Sequence, residues 1–290
     1  MRTTSMSRKI FLACNGLLMA AIALLAFLPL LNVWAQSLSS AKAIEGGHVF
    51  FWPVQFTLIS YDYVIHNHTI WRAFAITICL AVFGTAFNLL ATSSLAYPLS
   101  RKEYRGATVI LLLVLLTMIF QAPLIPNYLW LKQLGLLNTL WVLVLPGAIS
   151  AFNFFVTRSF FQEIPSELID SARIDGCGEQ RILWNIVLPL SKPVLATMGL
   201  FYAVGHWNSY MSAIFYINNR ALYPLQVKVQ EIIANANIMT DASLLIDMNN
   251  ITPDGIKMAV VVVSSLPIIV VYPFLQKYFV KGLMIGSIKS

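Results

Sequence analysis

The side chains able to do chemistry in this chain are few, and they fall into three groups. Tyr202, His206, Trp207, Asn208 and Tyr210 share one short stretch, and Tyr202 and His206 stand four apart, on one face of a helix. With Asn153 and Gln121 as outlying members, this set offers aromatic faces and hydrogen-bonding groups. It suits non-covalent recognition of a polar solute. The second group is the polar stretch 165–193, with Glu167, Asp170, Ser171, Ala172, Asp175 and Gly176 at its centre. The third is the pair His66 and His68, which has no carboxylate or cysteine beside it in sequence, so no metal site is expected. An enzyme built on His66, His68 and His206 is the weakest reading, because no carboxylate stands within sequence reach to orient or charge them. No G-x-x-x-x-G-K-[ST], G-x-S-x-G or H-E-x-x-H occurs.

The elements that carry these residues are greasy. Of 290 residues 58% are hydrophobic and 11% charged, against about a quarter charged in an average soluble domain, and the mean hydropathy is +0.75. Lipid is the expected solvent for most of the chain. The formal charge of +7 lies in short connectors between apolar runs rather than on one basic face, so nucleic acid is not an expected partner. Cys14, Cys79 and Cys177 fall in predicted spans or in the polar stretch and read as small packing residues.

In chain order, a basic tail (1–9) leads into an apolar run over 10–31, read as a retained anchor because it exceeds a signal-peptide core. Further spans are expected over 71–97, 106–124, 138–156, 194–216 and 256–274, ending in a tail at 281–290. The spans hold almost no ionisable groups, which disfavours a carrier driven through buried carboxylates. With both termini inside, the inner segments hold 13 of the 19 Lys and Arg, among them Arg8, Arg101, Arg173 and Lys192. The positive-inside rule then puts 165–193 in the cytoplasm and the connectors 35–69 and 217–255 outside.

The stretch 165–193 reads as two short helices and a turn. Pro165 and Ser166 start the first, Glu167 and Asp170 sit where the helix dipole favours acids, and Gly176 ends it. Gln180 to Leu188 is amphipathic and is expected to stop before Pro189.

That stretch resembles the cytoplasmic loop of ABC-importer permease subunits, with the pattern E-A-A, three residues, G, nine residues, I-x-L-P. Asp170-Ser171-Ala172 stands for the E-A-A, Gly176 follows at the right spacing, and Ile186, Leu188 and Pro189 close it. The departures are Asp for Glu and Ser for Ala. Leu124-Ile125-Pro126, Leu145-Pro146-Gly147-Ala148, Gly205-His206-Trp207-Asn208 and Leu222-Tyr223-Pro224-Leu225-Gln226 are similar to the carbohydrate branch, in particular the second permease of maltose- and alginate-type importers. Gln121-Ala122-Pro123 departs from it, standing where that family tends to carry glycines.

The resemblance implies an all-α membrane protein of the bacterial inner membrane. It would have six transmembrane helices and a coupling-helix loop between spans four and five. It implies a second permease subunit, two ATPase subunits that hold ATP and Mg, an extracytoplasmic solute-binding protein and an oligosaccharide cargo. This chain itself would bind no cofactor. Glu167, Asp170, Ser171, Ala172, Asp175 and Gly176 would then serve ATPase coupling. Gln121, Asn153, Tyr202, His206, Trp207, Asn208 and Tyr210 would line the substrate path. No Lys or Arg lies well inside a span, so selectivity for an acidic cargo is expected to rest mainly with the binding protein. The rival class is a stand-alone secondary carrier or channel for a polar solute, and the motif in 165–193 speaks against it.

Overall fold

The computed structural model describes residues 6–120, 122–236 and 252–287, and all regular structure among them is helical. The chain forms two units, one from residues 1–68 and 229–266, the other from residues 69–228 and 267–290.

In the first unit, α1 (Met6–Ser37) is apolar throughout its middle and contains Pro29. Its Phe11, Leu17 and Leu25 are exposed, as suits a helix surrounded by hydrocarbon. The segment after it folds back onto its C-terminal end through α2 (Ala41–Glu45) and α3 (Ile59–His66). Asn32 donates to the carbonyls of Val49 (3.3 Å) and Phe50 (2.7 Å), and the hydroxyls of Ser37 and Tyr61 lie 2.8 Å apart. A small core of Ala35, Ala43 and Val49 closes the turn. His66 does meet a carboxylate, Asp62 at 3.3 Å, one helical turn back. Asp62 is not adjacent in sequence, but the i, i+4 spacing of α3 brings it alongside, a neighbour the sequence reading overlooked. No group of three or more His, Cys, Asp or Glu gathers among the described residues.

The second unit is built around one long helix, formed by α4 (His68–Cys79), a π-helical turn (Leu80–Gly84) and α5 (Thr85–Ser100). Its packing is that of a membrane helix. Asn88, Thr92 and Ser93 are buried while Val82, Phe83 and Leu90 are exposed. Small and polar side chains face the protein because lipid gives no reason to hide the apolar ones. Pro98 lies inside the helix, which runs to Ser100, three residues past the expected end of the span at 97.

Around it stand α6 (Ala107–Ile119), α7 (Leu124–Gln133) and α8 (Ala151–Gln162), then the polar stretch with α9 (Ser166–Ile174), α10 (Glu179–Ile182) and α11 (Leu188–Leu190). α12 (Lys192–Trp207) and α13 (Met211–Tyr216) follow. The last two helices, α14 (Leu225–Ala236) and α15 (Pro253–Ser287), each have residues in both units, and α15 contains Pro267 and Pro273. Helix α5 packs on α8 and α12. One core cluster joins Leu99, Phe154, Phe161, Ile169, Ala172, Ile182 and Val187, and a second joins Leu80, Leu131, Val142, Ala213, Ile217 and Val227.

Among the described residues three helices are long and apolar enough to cross a membrane: Arg8–Ser37, His68–Ser100 and Pro253–Val271. The helices Glu179–Leu190 and Lys192–Trp207, bent by 85°, add a fourth candidate if they count as one span. The segments expected as spans three and four are not single helices. Ala107–Ile119 stops before Phe120, and a new helix begins only after Pro123. Over 138–156 a 3₁₀ turn (Leu140–Leu143) precedes irregular backbone around Pro146 and Gly147, and helix resumes at Ala151. In both places a proline removes a backbone donor and disfavours helix in the residue before it. The second helix of the polar stretch also differs from expectation, because it continues through Pro189 to Leu190. A π-helical turn (Leu183–Val187) makes this possible: Leu188 N–H reaches back to Leu183, five residues away. That widened ladder makes room for the proline ring.

Candidate functional site

A cavity of about 710 Å³ opens where α12 ends. Asn153, Tyr202, His206, Asn208 and Tyr210 all line it, so five of the residues singled out by sequence come together. Trp207 is not among the lining residues. It is 6% exposed and packs edge-on against Phe74 at 6.0 Å between ring centroids. Trp207 turns its ring toward Phe74 on α4 while His206, one position earlier, faces the cavity. Gln121 lies outside the described residues. Sequence reading missed Asn88, Ser150, Phe152 and Phe201, which also line the cavity. Phe152 and Phe201 form an edge-to-face pair at 5.9 Å, and both are exposed. The overlooked signal was an exposed aromatic on each of two helices that pack together.

The inner wall is a hydrogen-bonded layer. Tyr202 Oη accepts from the N–H of Ser150 at 3.0 Å and lies 2.7 Å from Thr92 Oγ1. Asn88 Nδ2 reaches the Gly147 carbonyl at 3.4 Å and His206 Nε2 at 3.2 Å. A Cβ on Gly84 would stand 2.7 Å from His206 Nε2. Glycine is therefore required at position 84 for the imidazole to lie against the π-helical turn. Tyr202 and His206 hold the wall with polar atoms already engaged. Asn208, Ser209 and Tyr210 at the break between α12 and α13, with Ser212 in the first turn of α13, line the opening, Ser209 donating its hydroxyl to the His206 carbonyl at 2.8 Å. Tyr202→Phe is expected to lower the melting temperature of the purified protein. The change strips a partner from Thr92 and from the Ser150 N–H, a loss of about 1–3 kcal/mol. The affinity for solute should change little.

The second candidate surface is α9. Ile169 and Ala172 are buried and anchor it, whereas Glu167, Leu168, Asp170, Ser171, Ile174 and Asp175 are exposed. Ser171 Oγ bonds back to the Glu167 carbonyl at 2.8 Å. Gly176 has φ +80° and follows the last turn, with its N–H on the Arg173 carbonyl and that of Cys177 on Ala172. This left-handed residue ends α9 as the sequence implied.

Arg173 gathers acids from three places: Glu179 at 2.8 Å, Asp170 at 3.3 Å and Glu103 at 3.8 Å. Its bond to Glu179 raises the guanidinium's affinity for its proton. Burial pushes the Glu179 carboxyl up, but hydrogen bonds from Arg173 and Tyr97 outweigh it and hold the group below its ordinary value. Arg101 and Arg158 cross-tie α5 and α8. Arg101 Nη2 donates to the Phe161 carbonyl (2.7 Å), and Arg158 Nε donates to the Leu99 carbonyl (2.8 Å). Both carbonyls lie in the last turn of a helix, where no backbone partner is available.

A membrane chain whose described regular structure is all helical, with an uncharged polar cavity and an exposed surface helix, has the parts of a permease. Residues 104–285 match the family model for the binding-protein-dependent transport system inner membrane component, and the chain belongs to that family. It is 42% identical over 284 residues to the protein LplC of Bacillus subtilis strain 168, covering 97% of this chain and 96% of that one. It is 41% identical over 269 residues to YtcP of the same organism, a polygalacturonan/rhamnogalacturonan transport system permease protein, covering 92% and 94%. Among solved structures it is similar to a chain from a bacterial ABC transporter involved in the import of the acidic polysaccharide alginate. The TM-score is 0.89 at 33% identity, with 96% of this chain and 100% of that one covered.

Proposed function

We propose that this permease component imports an oligosaccharide in an ABC transporter. It would act with a second permease subunit, two ATPase subunits that bind ATP and Mg, and an extracytoplasmic solute-binding protein. The chain crosses the bacterial inner membrane six times with both termini in the cytoplasm. The broken segments 106–133 and 138–162 and the bent pair around Ser191 supply the spans that are not single long helices. The cytoplasmic loop 165–193 receives the ATPase on α9, where exposed Leu168 and Ile174 stand beside Glu167, Asp170 and Asp175. Ile174, at 86% exposed, is the apolar contact that a partner would cover.

One observation carries the cargo assignment. The cavity combines an exposed aromatic pair, Phe152 and Phe201, with amides and hydroxyls, and no Asp, Glu, Lys or Arg is among the residues that line it. Sugar rings offer C–H faces to aromatics and hydroxyls to neutral hydrogen-bonding groups, and about 710 Å³ lies within the usual range for a ligand site. The polygalacturonan-related and alginate-related proteins described above support the same class and make uronic-acid oligosaccharides the first to test.

The test is reconstitution of the full complex in proteoliposomes with binding protein and graded oligosaccharides. Phe201→Ala is expected to slow transport several-fold while leaving assembly intact, because Phe201 is exposed. Solute flux that persists without the ATPase would instead establish a stand-alone carrier.

A further inference from the structure

We infer that Tyr97 and Glu179 form a mechanical tie that delivers movement of α9 to α5, and through α5 to the wall of the solute cavity. This rests on the importer reading above.

The tie can be followed atom by atom. On α9, Arg173 Nε donates to Glu179 Oε1 at 2.8 Å. The other oxygen of that carboxylate, Oε2, accepts from Tyr97 Oη at 2.5 Å. One carboxylate therefore bridges the surface helix and the long helix. Tyr97 is 5% exposed and belongs to a core cluster that includes Phe154, Phe161 and Ile169, so its ring is held and its hydroxyl has one direction to pull. Arg101 lies over that ring at 5.4 Å and is itself bonded to α8. Further up α5 the same helix carries Thr92, bonded to Tyr202, and Asn88, beside His206. From Tyr97 to Thr92 is about 7–8 Å of helix, and to Asn88 about 13–14 Å. Rigid helix spans the whole distance from the tie to the cavity wall.

Surface ion pairs contribute little by themselves, since solvent and side-chain entropy offset them. Here the carboxylate is shared with a buried phenol, and hydrogen bonds to charged groups are the stronger kind. A cavity of about 600 Å³ lined by Tyr97, Arg101, Tyr104, Arg173, Glu179 and Trp184 lies beside the tie. It leaves room for α9 and α10 to shift, and the shared carboxylate then decides whether α5 follows. Tyr97 and Glu179 are positioning residues, because neither lines the solute cavity.

The experiment compares Tyr97→Phe and Glu179→Gln with wild type in the reconstituted complex. It measures complex yield, unstimulated ATP hydrolysis, and solute moved per ATP with loaded binding protein. Tyr97→Phe removes one oxygen and keeps the packed ring. Its solute moved per ATP is expected to fall several-fold while yield and unstimulated hydrolysis stay at wild-type levels. Glu179→Gln, which keeps an acceptor for the phenol but loses its charge, should fall between. Tyr97→Phe with wild-type transport per ATP would overturn the tie. So would hydrolysis and transport that decline together with complex yield, which is the pattern of a packing residue. A wild-type complex whose hydrolysis ignores the loaded binding protein would overturn the importer reading itself, and the tie with it.

Discussion

Gly176→Val is expected to abolish binding-protein-stimulated ATP hydrolysis and to reduce the ATPase recovered with the tagged permease by an order of magnitude or more. Gly176 has φ +80°, and no heavy atom lies within 4 Å of where its Cβ would be. The obstacle is therefore the backbone conformation and not a collision. A β-branched residue resists left-handed backbone by more than the 1–2 kcal/mol that an ordinary residue loses there. The cheapest relief is to rewind the end of α9, which pulls Cys177 N–H from the Ala172 carbonyl and moves Ile174 out of place. The effect should be graded by conformation: Val worst, Ala milder, and Asn close to wild type because Asn enters this region readily. Pull-down of the ATPase together with stimulated hydrolysis measures the series. A Val variant that retains both would show that the turn adapts and that α9 does not depend on it.

The second large effect belongs to Gly84. In Gly84→Ala the new methyl would lie 2.7 Å from His206 Nε2, 2.9 Å from Cε1 and 3.0 Å from Cδ2. The ring cannot yield cheaply, because His206 is 7% exposed and stands beside Asn88. Overpacking of this kind costs about 1–3 kcal/mol, and here it would force α12 from the long helix at the cavity wall. Loss of most transport and a clearly lowered melting temperature are expected. Gly84→Ala combined with His206→Ala should recover most of the stability, because the second change removes the colliding ring. A double variant no better than the single one would rule out the imidazole as the source of the strain.

Sequence made some of this legible and concealed the rest, for physical reasons that differ by residue. The positive φ of Gly176 was readable because a helix end needs a residue free of Cβ strain. The i, i+4 spacing brought Tyr202 and His206 to one cavity, but Trp207, one step on, points elsewhere. The role of Asn88 was hidden because its partners, Gly147 and His206, are distant in sequence. Helix boundaries failed where prolines acted in opposite ways. Pro123 and Pro146 lie where the expected helices break, whereas Pro189 sits inside one because the preceding turn is π-helical. Hydropathy sees lipid-facing side chains. It does not see whether the backbone between them remains helical.

The π-helical turn at Leu80–Gly84 sets the azimuth of everything after it. The buried stripe of the long helix runs Ile70, Ala73, Thr77, Leu80, Gly84, Asn88, Thr92, Ala96. Seven turns of an ordinary α-helix use about 25 residues, one fewer than separates the ends of that stripe. The additional residue in the widened turn absorbs the difference and keeps both ends in phase. Deleting one residue there would change the composition hardly at all, yet it would rotate the far half by about 100°. Asn88 would leave His206 and Tyr97 would leave Glu179 in the same turn of the axis.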